Sequence, residues 1–293
     1  MTDSDETTDA LPAIRAEVVT ALADAGVPDP EVDADLLIGH VLNVSRGRIH
    51  ALAVMDAVLT GEQLASVRAL VRRRAQREPL QHITGVAPFR NLELAVGPGV
   101  FVPRPETEGV AQFAIDALAA AAVPEPIGVD LGTGSGAIAL SMAVEVPRSR
   151  VYAVENSADA FVWTQRNVRN VGAPNIIAEF ADLSHALPEL DGAVTVVISN
   201  PPYVPTDAIP RDPEVRLFDP PHALYGGADG LDVVRRVSRT ALRLLHSGGT
   251  LVIEHGELQG AAIRELLTSD GWRAAATHPD LTSRDRATTA IRP

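Results

Sequence analysis

The sequence predicts an open α/β sheet, mostly parallel and covered by helices on both faces, behind a small helical domain. Three observations carry that prediction. After Pro126, short apolar runs alternate with helical patterns, as parallel strands and their crossover helices do. Before residue 82, apolar residues recur at helical spacing alone. Between these regions, residues 83–104 switch to the alternating pattern of a strand pair.

Taken in order, residues 1–10 read as an acidic, disordered tail. A secretory leader needs a basic start and an apolar stretch, which this segment lacks. Residues 11–82 read as a helical domain. Ile14, Val18 and Leu22 share one helix face, as do Leu36, Leu37 and Val41, and Gly26 with Pro28 punctuates the first helix. Thr60 and Gln63 have capping-box spacing ahead of Leu64, Val67, Leu70 and Val71. Residues 83–104 read as a β-hairpin linker, in which Leu92, Leu94 and Val96 alternate and Gly97-Pro98-Gly99 turns the chain into Val100-Phe101-Val102. The remainder, 105–293, opens with a helix from about Glu106 to Ala121. Strands are predicted at Ile127–Leu131, Val151–Val154, Ile176–Phe180, Val194–Ser199 and Thr250–Glu254, and helices at Ala137–Val146, Ala160–Val168, Asp229–Leu245 and Gln259–Leu267. Ala274–Thr277 and Thr288–Ile291 suit an antiparallel pair at the end.

Composition narrows the chemistry. Over 293 residues, 46% are hydrophobic and 22% charged, which is ordinary for a globular chain, and no apolar run approaches the roughly 20 residues of a membrane span. With neither leader nor span, the chain is expected in the cytoplasm, with no membrane partner. There is no cysteine, which excludes disulfides, thiolate metal sites and cysteine nucleophiles. All 25 basic residues are arginine, so Schiff-base lysine chemistry is excluded as well. A net charge of −13 argues against direct nucleic-acid binding. Arg72-Arg73-Arg74 with Arg77 is the one conspicuous basic cluster.

Two turns carry the function. Asp130-Leu131-Gly132-Thr133-Gly134-Ser135-Gly136 joins the first strand of the alternating region to its helix. Glycines there let a ligand lie close to the backbone, and the helix N-terminus offers N–H groups. Glu155, closing the next strand, is placed to accept hydrogen bonds from ribose hydroxyls. The spacing is GxGxG, whereas a dinucleotide site wants GxGxxG, which points to adenosine in another form. Asp182, past the third strand of that region, is placed for an adenine amino group.

Ser199-Asn200-Pro201-Pro202-Tyr203 follows the next strand. Ligands of an open α/β sheet lie beyond the carboxyl ends of its strands, at the switch in strand order. The nitrogen of a planar amide or exocyclic amine is a poor nucleophile. The Asn200 side-chain oxygen and the Pro201 carbonyl suit its two N–H groups, which aims the nitrogen and stabilises developing positive charge. Consecutive prolines fix φ, and the Tyr203 ring offers a flat face. The pair of turns therefore predicts methylation of a planar nitrogen, with Asn200, Pro201 and Tyr203 as catalytic residues.

With these motifs in place, the chain after its acidic tail resembles the release factor glutamine methyltransferases. DLGTGSGAIAL and NPPYVP belong to that resemblance. So do Glu78–Gly85 (EPLQHITG), Pro103–Glu108 (PRPETE), Gly226–Asp232 (GGADGLD), Glu254-His255-Gly256 and Asp280–Arg286 (DLTSRDR). The resemblance implies a Rossmann-like class I methyltransferase sheet, mostly parallel with an antiparallel C-terminal strand. It implies S-adenosyl-L-methionine as cofactor, S-adenosyl-L-homocysteine as product, and no metal. Gly132, Thr133, Gly134, Ser135, Gly136, Glu155, Asp182, Leu183 and Asn200 would line the cofactor site. Asn200, Pro201, Pro202 and Tyr203 would hold the side-chain amide (N5) of the glutamine in the Gly-Gly-Gln motif of peptide chain release factors, a modification that modulates translation termination. The N-terminal domain would contact the release factor, which makes the Arg72–Arg77 cluster either a docking surface or a solvated helix face. The free enzyme is expected as a monomer.

The chain departs from the family pattern at Glu155, where aspartate is usual, at Pro221-His222 and at Ser283. Alternatives are a ribosomal protein glutamine methyltransferase, an adenine N6 methyltransferase of nucleic acid, or a non-catalytic cofactor-binding partner. His255 lacks a third ligand at metal spacing, and Arg284-Asp285-Arg286 is expected to pin a hairpin by local ion pairs.

Overall fold

A computed structural model describes residues 10–293, so the acidic lead Met1–Asp9 lies outside the described residues. The chain forms two compact units. The first ends at Gly85 and takes in the later segment Arg211–Phe218; the second comprises Val86–Pro210 and Asp219–Pro293.

The first unit packs α1 (Leu11–Asp24), α2 (Pro30–Leu42), α3 (Arg46–Val54), α4 (Gly61–Ala75) and the short α5 (Leu80–Thr84). Its core is the predicted stripe: Ile14, Val18 and Leu22 meet Leu37, Leu64 and Val67, all nearly inaccessible to solvent. The Thr60–Gln63 box forms in both directions, Gln63 N donating to Thr60 Oγ1 at 3.2 Å and Thr60 N to Gln63 Oε1 at 3.0 Å.

Asp35 on α2 is fully buried, yet accepts from Arg15 Nε at 2.6 Å and Arg46 Nε at 3.2 Å and lies 2.7 Å from His50 Nε2. Burial alone would raise its pKa, but hydrogen bonds from Arg15, His50 and Arg46 outweigh it and hold the carboxyl at about 2. A depressed carboxyl pKa stabilises the fold above the ordinary carboxylate range, and that contribution is lost as pH falls toward about 2. Asp35→Ala should therefore cost about 3 kcal/mol at neutral pH and flatten the acid dependence. Faster hydrogen exchange of α1–α3 amides measures the loss.

The arginine cluster divides: Arg72 and Arg73 are exposed, whereas Arg74 and Arg77 turn to acidic partners. Arg74 is buried, donating to Asp33 Oδ2 at 2.6 Å and to Glu214 Oε1 at 2.7 Å. Arg77 grips the same Glu214 in two bonds of 2.8 and 2.6 Å, and Arg73 pairs with Glu78. Arg74 and Arg77 thus form the clamp that holds α9 (Pro213–Phe218) within the first unit.

The second unit opens with a hairpin, β1 (Val86–Phe89) and β2 (Leu92–Ala95). Its turn is Arg90-Asn91, which corrects the expectation of a hairpin closed at Gly97-Pro98-Gly99: the chain does turn there, Val100 N donating to the Gly97 carbonyl at 3.4 Å, but Val100-Phe101-Val102 forms no strand. Arg90 takes a positive φ of 51° and is held there by Glu145, Gln112 and the Glu108 carbonyl. The Gly-Pro-Gly segment instead lies under Trp163: a Cβ on Gly97 would stand 2.5 Å from the indole ring. Val96, Val100 and Val102 are buried in that small cluster.

Then follow α6 (Pro105–Ala120), β3 (Ile127–Leu131), α7 (Ala137–Glu145), β4 (Arg150–Glu155), α8 (Ala158–Val171), β5 (Ile176–Phe180) and β6 (Val194–Ser199). After α9 come α10 (Pro221–Leu224), α11 (Asp232–Leu244), β7 (Leu245–Glu254), α12 (Gly260–Ser269), β8 (Arg273–Pro279) and β9 (Asp285–Ile291). The seven strands order as β5-β4-β3-β6-β7-β9-β8, parallel except for β9, which runs antiparallel to β7 and β8. This is the open, mostly parallel sheet that the sequence predicts, with one antiparallel strand near its edge. Alternate residues of each strand feed opposite faces: Val129, Leu131, Val197 and Ile253 pack towards α11 and α12, while Ala153, Val196, Ile198 and Val252 join the core of α6 and α7. Helix α11 starts three residues later than the sequence reading because Gly230 has φ +76°, outside helical space. The β8–β9 turn is pinned as expected, with Asp280 facing both Arg284 and Arg286 at 3.5 Å.

Candidate active site

Strand order reverses between β3 and β6, whose carboxyl ends therefore lie side by side. A direct bond joins the turns they carry: Ser199 Oγ donates to the Leu131 carbonyl at 2.6 Å.

On the β3 side, Gly132, Gly134 and Gly136 have φ of +76°, +58° and +87°. Nothing lies within 4 Å of where Cβ atoms on Gly132 and Gly134 would stand, so a ligand can rest on bare backbone there. The turn is held from both ends. Asp130 Oδ2 accepts from Thr133 Oγ1 at 2.6 Å and Ala139 N at 3.2 Å, and burial pushes this carboxyl up to about 7. From α8, Thr164 Oγ1 donates to the Gly134 carbonyl at 2.6 Å and Asn167 Nδ2 to the Ser135 carbonyl at 2.9 Å. Neither α8 residue was singled out by the sequence, because a helix reaching back over a distant turn leaves no local pattern.

Glu155 is buried at the end of β4 and accepts three backbone N–H bonds, from Gly134 at 2.8 Å, Asn156 at 2.9 Å and Ser157 at 2.8 Å. A carboxylate has about four acceptor positions, so it retains capacity for a ribose hydroxyl. Bare backbone beside a carboxylate at the end of the neighbouring strand fits an adenosine-bearing cofactor. Asp182 has a partner the sequence did not reveal: both its oxygens lie 2.5 Å from Arg236 Nη2 on α11, and it accepts from Ser184 N at 2.9 Å. Hydrogen bonds from Arg236 and Ser184 hold its pKa at about 2. Leu183, beside it, is buried in the core.

On the β6 side, Asn200 emerges level with Glu254, since Ser199 pairs with Ile253 of β7. Asn200 Nδ2 lies 3.5 Å from Thr107 Oγ1, a buried hydroxyl that PRPETE delivers from the first turn of α6. The Glu254 carboxyl is almost wholly buried; burial pushes it up to about 7, against the pull of Thr107 and the Arg286 charge. Burial and the Glu254 charge push Tyr203 up to about 12, so it stays a neutral phenol.

The GGADGLD segment braces this turn. Val204 N donates to the Leu224 carbonyl at 2.8 Å, Gly226 N to the Val204 carbonyl at 2.9 Å and Thr206 N to the Gly227 carbonyl at 2.9 Å. His255 is a structural residue: its Nδ1 faces the Gly256 carbonyl and its Nε2 the Thr288 hydroxyl, each at 2.9 Å, and burial lowers its pKa. No helix among the described residues is long and apolar enough to cross a membrane.

Removing the Glu155 carboxylate should weaken cofactor binding first. Glu155→Ala is expected to raise the dissociation constant for S-adenosylhomocysteine roughly tenfold to a hundredfold, the loss of one or two charge-assisted bonds. Titration calorimetry reads this directly, and an unchanged affinity would remove Glu155 from the site.

Comparisons with known proteins identify the family. Residues 13–85 match the family model for the PrmC N-terminal domain and residues 91–218 that for the methyltransferase small domain. A release factor glutamine methyltransferase of Streptomyces coelicolor is 52% identical over 94% of this chain and 95% of its own length. That of Mycolicibacterium smegmatis is 44% identical over 96% of both. A 4-amino-L-phenylalanine/4-methylamino-L-phenylalanine methyltransferase of Streptomyces pristinaespiralis is 38% identical over 94% of this chain and 93% of its own. Among solved structures, a methyltransferase from Pyrococcus furiosus shares the fold at a TM-score of 0.52 and 16% identity, covering 75% of this chain and 98% of that one. The chain is an S-adenosylmethionine-dependent methyltransferase of the release factor glutamine methyltransferase family.

Proposed function

We propose that this enzyme methylates the side-chain amide nitrogen of the glutamine in the Gly-Gly-Gln loop of peptide chain release factors. The observation that carries the reading is the setting of Asn200, with its Nδ2 turned to the Thr107 hydroxyl at the strand end joined to the glycine turn. An asparagine amide tied by its nitrogen presents Oδ1 as an acceptor. Asn200 Oδ1 and the Pro201 carbonyl take the two N–H groups of the glutamine amide, and the neutral Tyr203 ring and Pro202 pack against its plane. Gly132 to Gly136, Glu155, Leu183 and Asn200 hold the cofactor, and Asp182 meets the adenine amino group with the acceptor capacity that Arg236 leaves. Bound S-adenosylmethionine supplies an electrophilic methyl group on its sulfonium. The protein's part is to aim a weak nucleophile and to stabilise the charge that grows on it.

Residues 11–82 serve as the docking domain for the release factor, with Arg211–Phe218 built into it. Residues 83–104 link it to the transfer domain, residues 105–293. The enzyme acts as a monomer in the cytoplasm and touches no nucleic acid directly.

The 38% identical relative named for an aromatic amine supports a second reading, since an aniline nitrogen is also planar and weakly nucleophilic. Both readings are tested by incubating the enzyme with methyl-labelled cofactor and separate pools of release factor, ribosomal protein, adenine-containing nucleic acid and 4-amino-L-phenylalanine. Label in release factor alone is expected; label confined to any other pool overturns the assignment.

A further inference from the structure

Consecutive prolines fix φ at 201 and 202, and Pro202 keeps ψ of Pro201 in the extended region, but nothing in the prolines fixes ψ at 202, which decides where the chain carries Tyr203. The stiff Pro201 end of the turn therefore needs something to hold the other end, at Tyr203. Gln259, half-buried just before α12, makes the contacts that do this. Its Oε1 accepts from Gly256 N at 2.9 Å. Its Nε2 donates to the Tyr203 carbonyl at 2.9 Å and faces the Asp229 carbonyl at 3.5 Å.

One side-chain amide thus joins three loops: the turn after β6, the GGADGLD segment, and the Glu254-His255-Gly256 turn after β7. Its orientation is not interchangeable, because a backbone donor lies on one side and two carbonyl acceptors on the other. The packing is close as well. A Cβ on Gly230 would stand 2.8 Å from Gln259 Nε2, and one on Gly256 would stand 3.1 Å from Gln259 Oε1.

Building on the reading of this turn as the substrate clamp, we infer that Gln259 is a positioning residue for methyl transfer. It fixes the Tyr203 carbonyl and, through it, the direction of the acceptors that hold the substrate nitrogen. It touches neither the cofactor turn nor Glu155, so its loss should lower turnover and leave cofactor affinity alone.

The variant that separates positioning from mere bulk is Gln259→Glu. A carboxylate of nearly the same shape still accepts from Gly256 N but cannot donate to the Tyr203 carbonyl, and it sets a negative charge against two carbonyl oxygens. Once protonated it regains the donor. The full-length variant, assayed with labelled S-adenosylmethionine and purified release factor, should turn over roughly tenfold to a hundredfold more slowly than the parent at pH 8. The variant-to-parent ratio should climb back toward one as pH falls through the carboxyl range. Gln259→Ala should be slow at every pH, with S-adenosylhomocysteine affinity within about twofold of the parent's in both variants. A flat ratio across pH, full turnover by Gln259→Ala, or cofactor affinity lost along with turnover each overturns the inference. Asn200→Ala run in parallel separates the two claims. If it is inactive while the Gln259 variants are normal, only Gln259 loses its role; if Asn200→Ala is itself fully active, the clamp reading fails.

Discussion

Asn200→Ala is expected to leave S-adenosylhomocysteine binding measurable and to lower single-turnover methyl transfer by about a hundredfold to a thousandfold, the usual cost of removing one preorganised polar contact at a reacting centre. The expectation follows from where the side chain is held. Asn200 leaves β6 beside Glu254, and its Nδ2 faces the Thr107 hydroxyl at 3.5 Å. That leaves Oδ1 to accept an amide N–H. Alanine removes the acceptor without touching the hydrogen bonds of the glycine turn or of Glu155. The loss should therefore fall on kcat far more than on cofactor affinity. A variant that methylates release factor at the parent rate would exclude Asn200 from the chemistry.

A comparable loss is expected from a methyl group placed on Gly230, a residue that need not touch substrate. Its φ is +76°, where an L side chain is strained, and a Cβ would stand 2.3 Å from the Tyr203 carbonyl oxygen and 2.8 Å from Gln259 Nε2. A real Cβ does not come that close to a backbone oxygen, so the Asn200–Tyr203 turn must shift. Displacement of about 1 Å in a positioning element costs on the order of a hundredfold in rate. Gly230→Ala should thus approach the Asn200→Ala deficit while binding cofactor normally. Gly172, in comparison, ends α8 with open space around it. Gly172→Ala should cost only the backbone strain, about 1 kcal/mol of stability, and little rate. Equal rates for the Gly230 and Gly172 variants would show that the brace does not govern the turn.

The parts legible in the sequence share a cause: they depend on neighbours along the chain. Strand and helix periods, the Thr60–Gln63 cap, the glycine turn after β3 and the proline-fixed turn after β6 are local patterns. The open sheet then brings the last two together, because β3 and β6 are neighbours at the point of reversal. What escaped the sequence depends on partners far along the chain. Arg74 and Arg77 look like part of a surface patch until Glu214, 140 residues along the chain from Arg74, closes on them. Asp182 looks free for adenine until Arg236 of α11 arrives. The hairpin turn was misplaced because Gly-Pro-Gly is a strong turn signal, whereas Arg90-Asn91 turns only with Glu145 and Glu108 holding Arg90. Thr107 and Gln259 sit in motifs the sequence reading quoted or bordered, but their reach to Asn200 and to the Tyr203 carbonyl is a property of the folded sheet.

Transfer to the nitrogen of a glutamine amide, aimed by Asn200 and the Pro201 carbonyl, is tested most directly by locating the new bond. Release factor labelled with nitrogen-15 in its glutamine side-chain amides is methylated using cofactor carrying a carbon-13 methyl group. The product should show a single directly bonded carbon-13–nitrogen-15 pair, assigned to the glutamine of the Gly-Gly-Gln loop and lost when that residue is replaced by alanine. A carbon-13 methyl bound to oxygen, to a backbone nitrogen or to any other residue would contradict it.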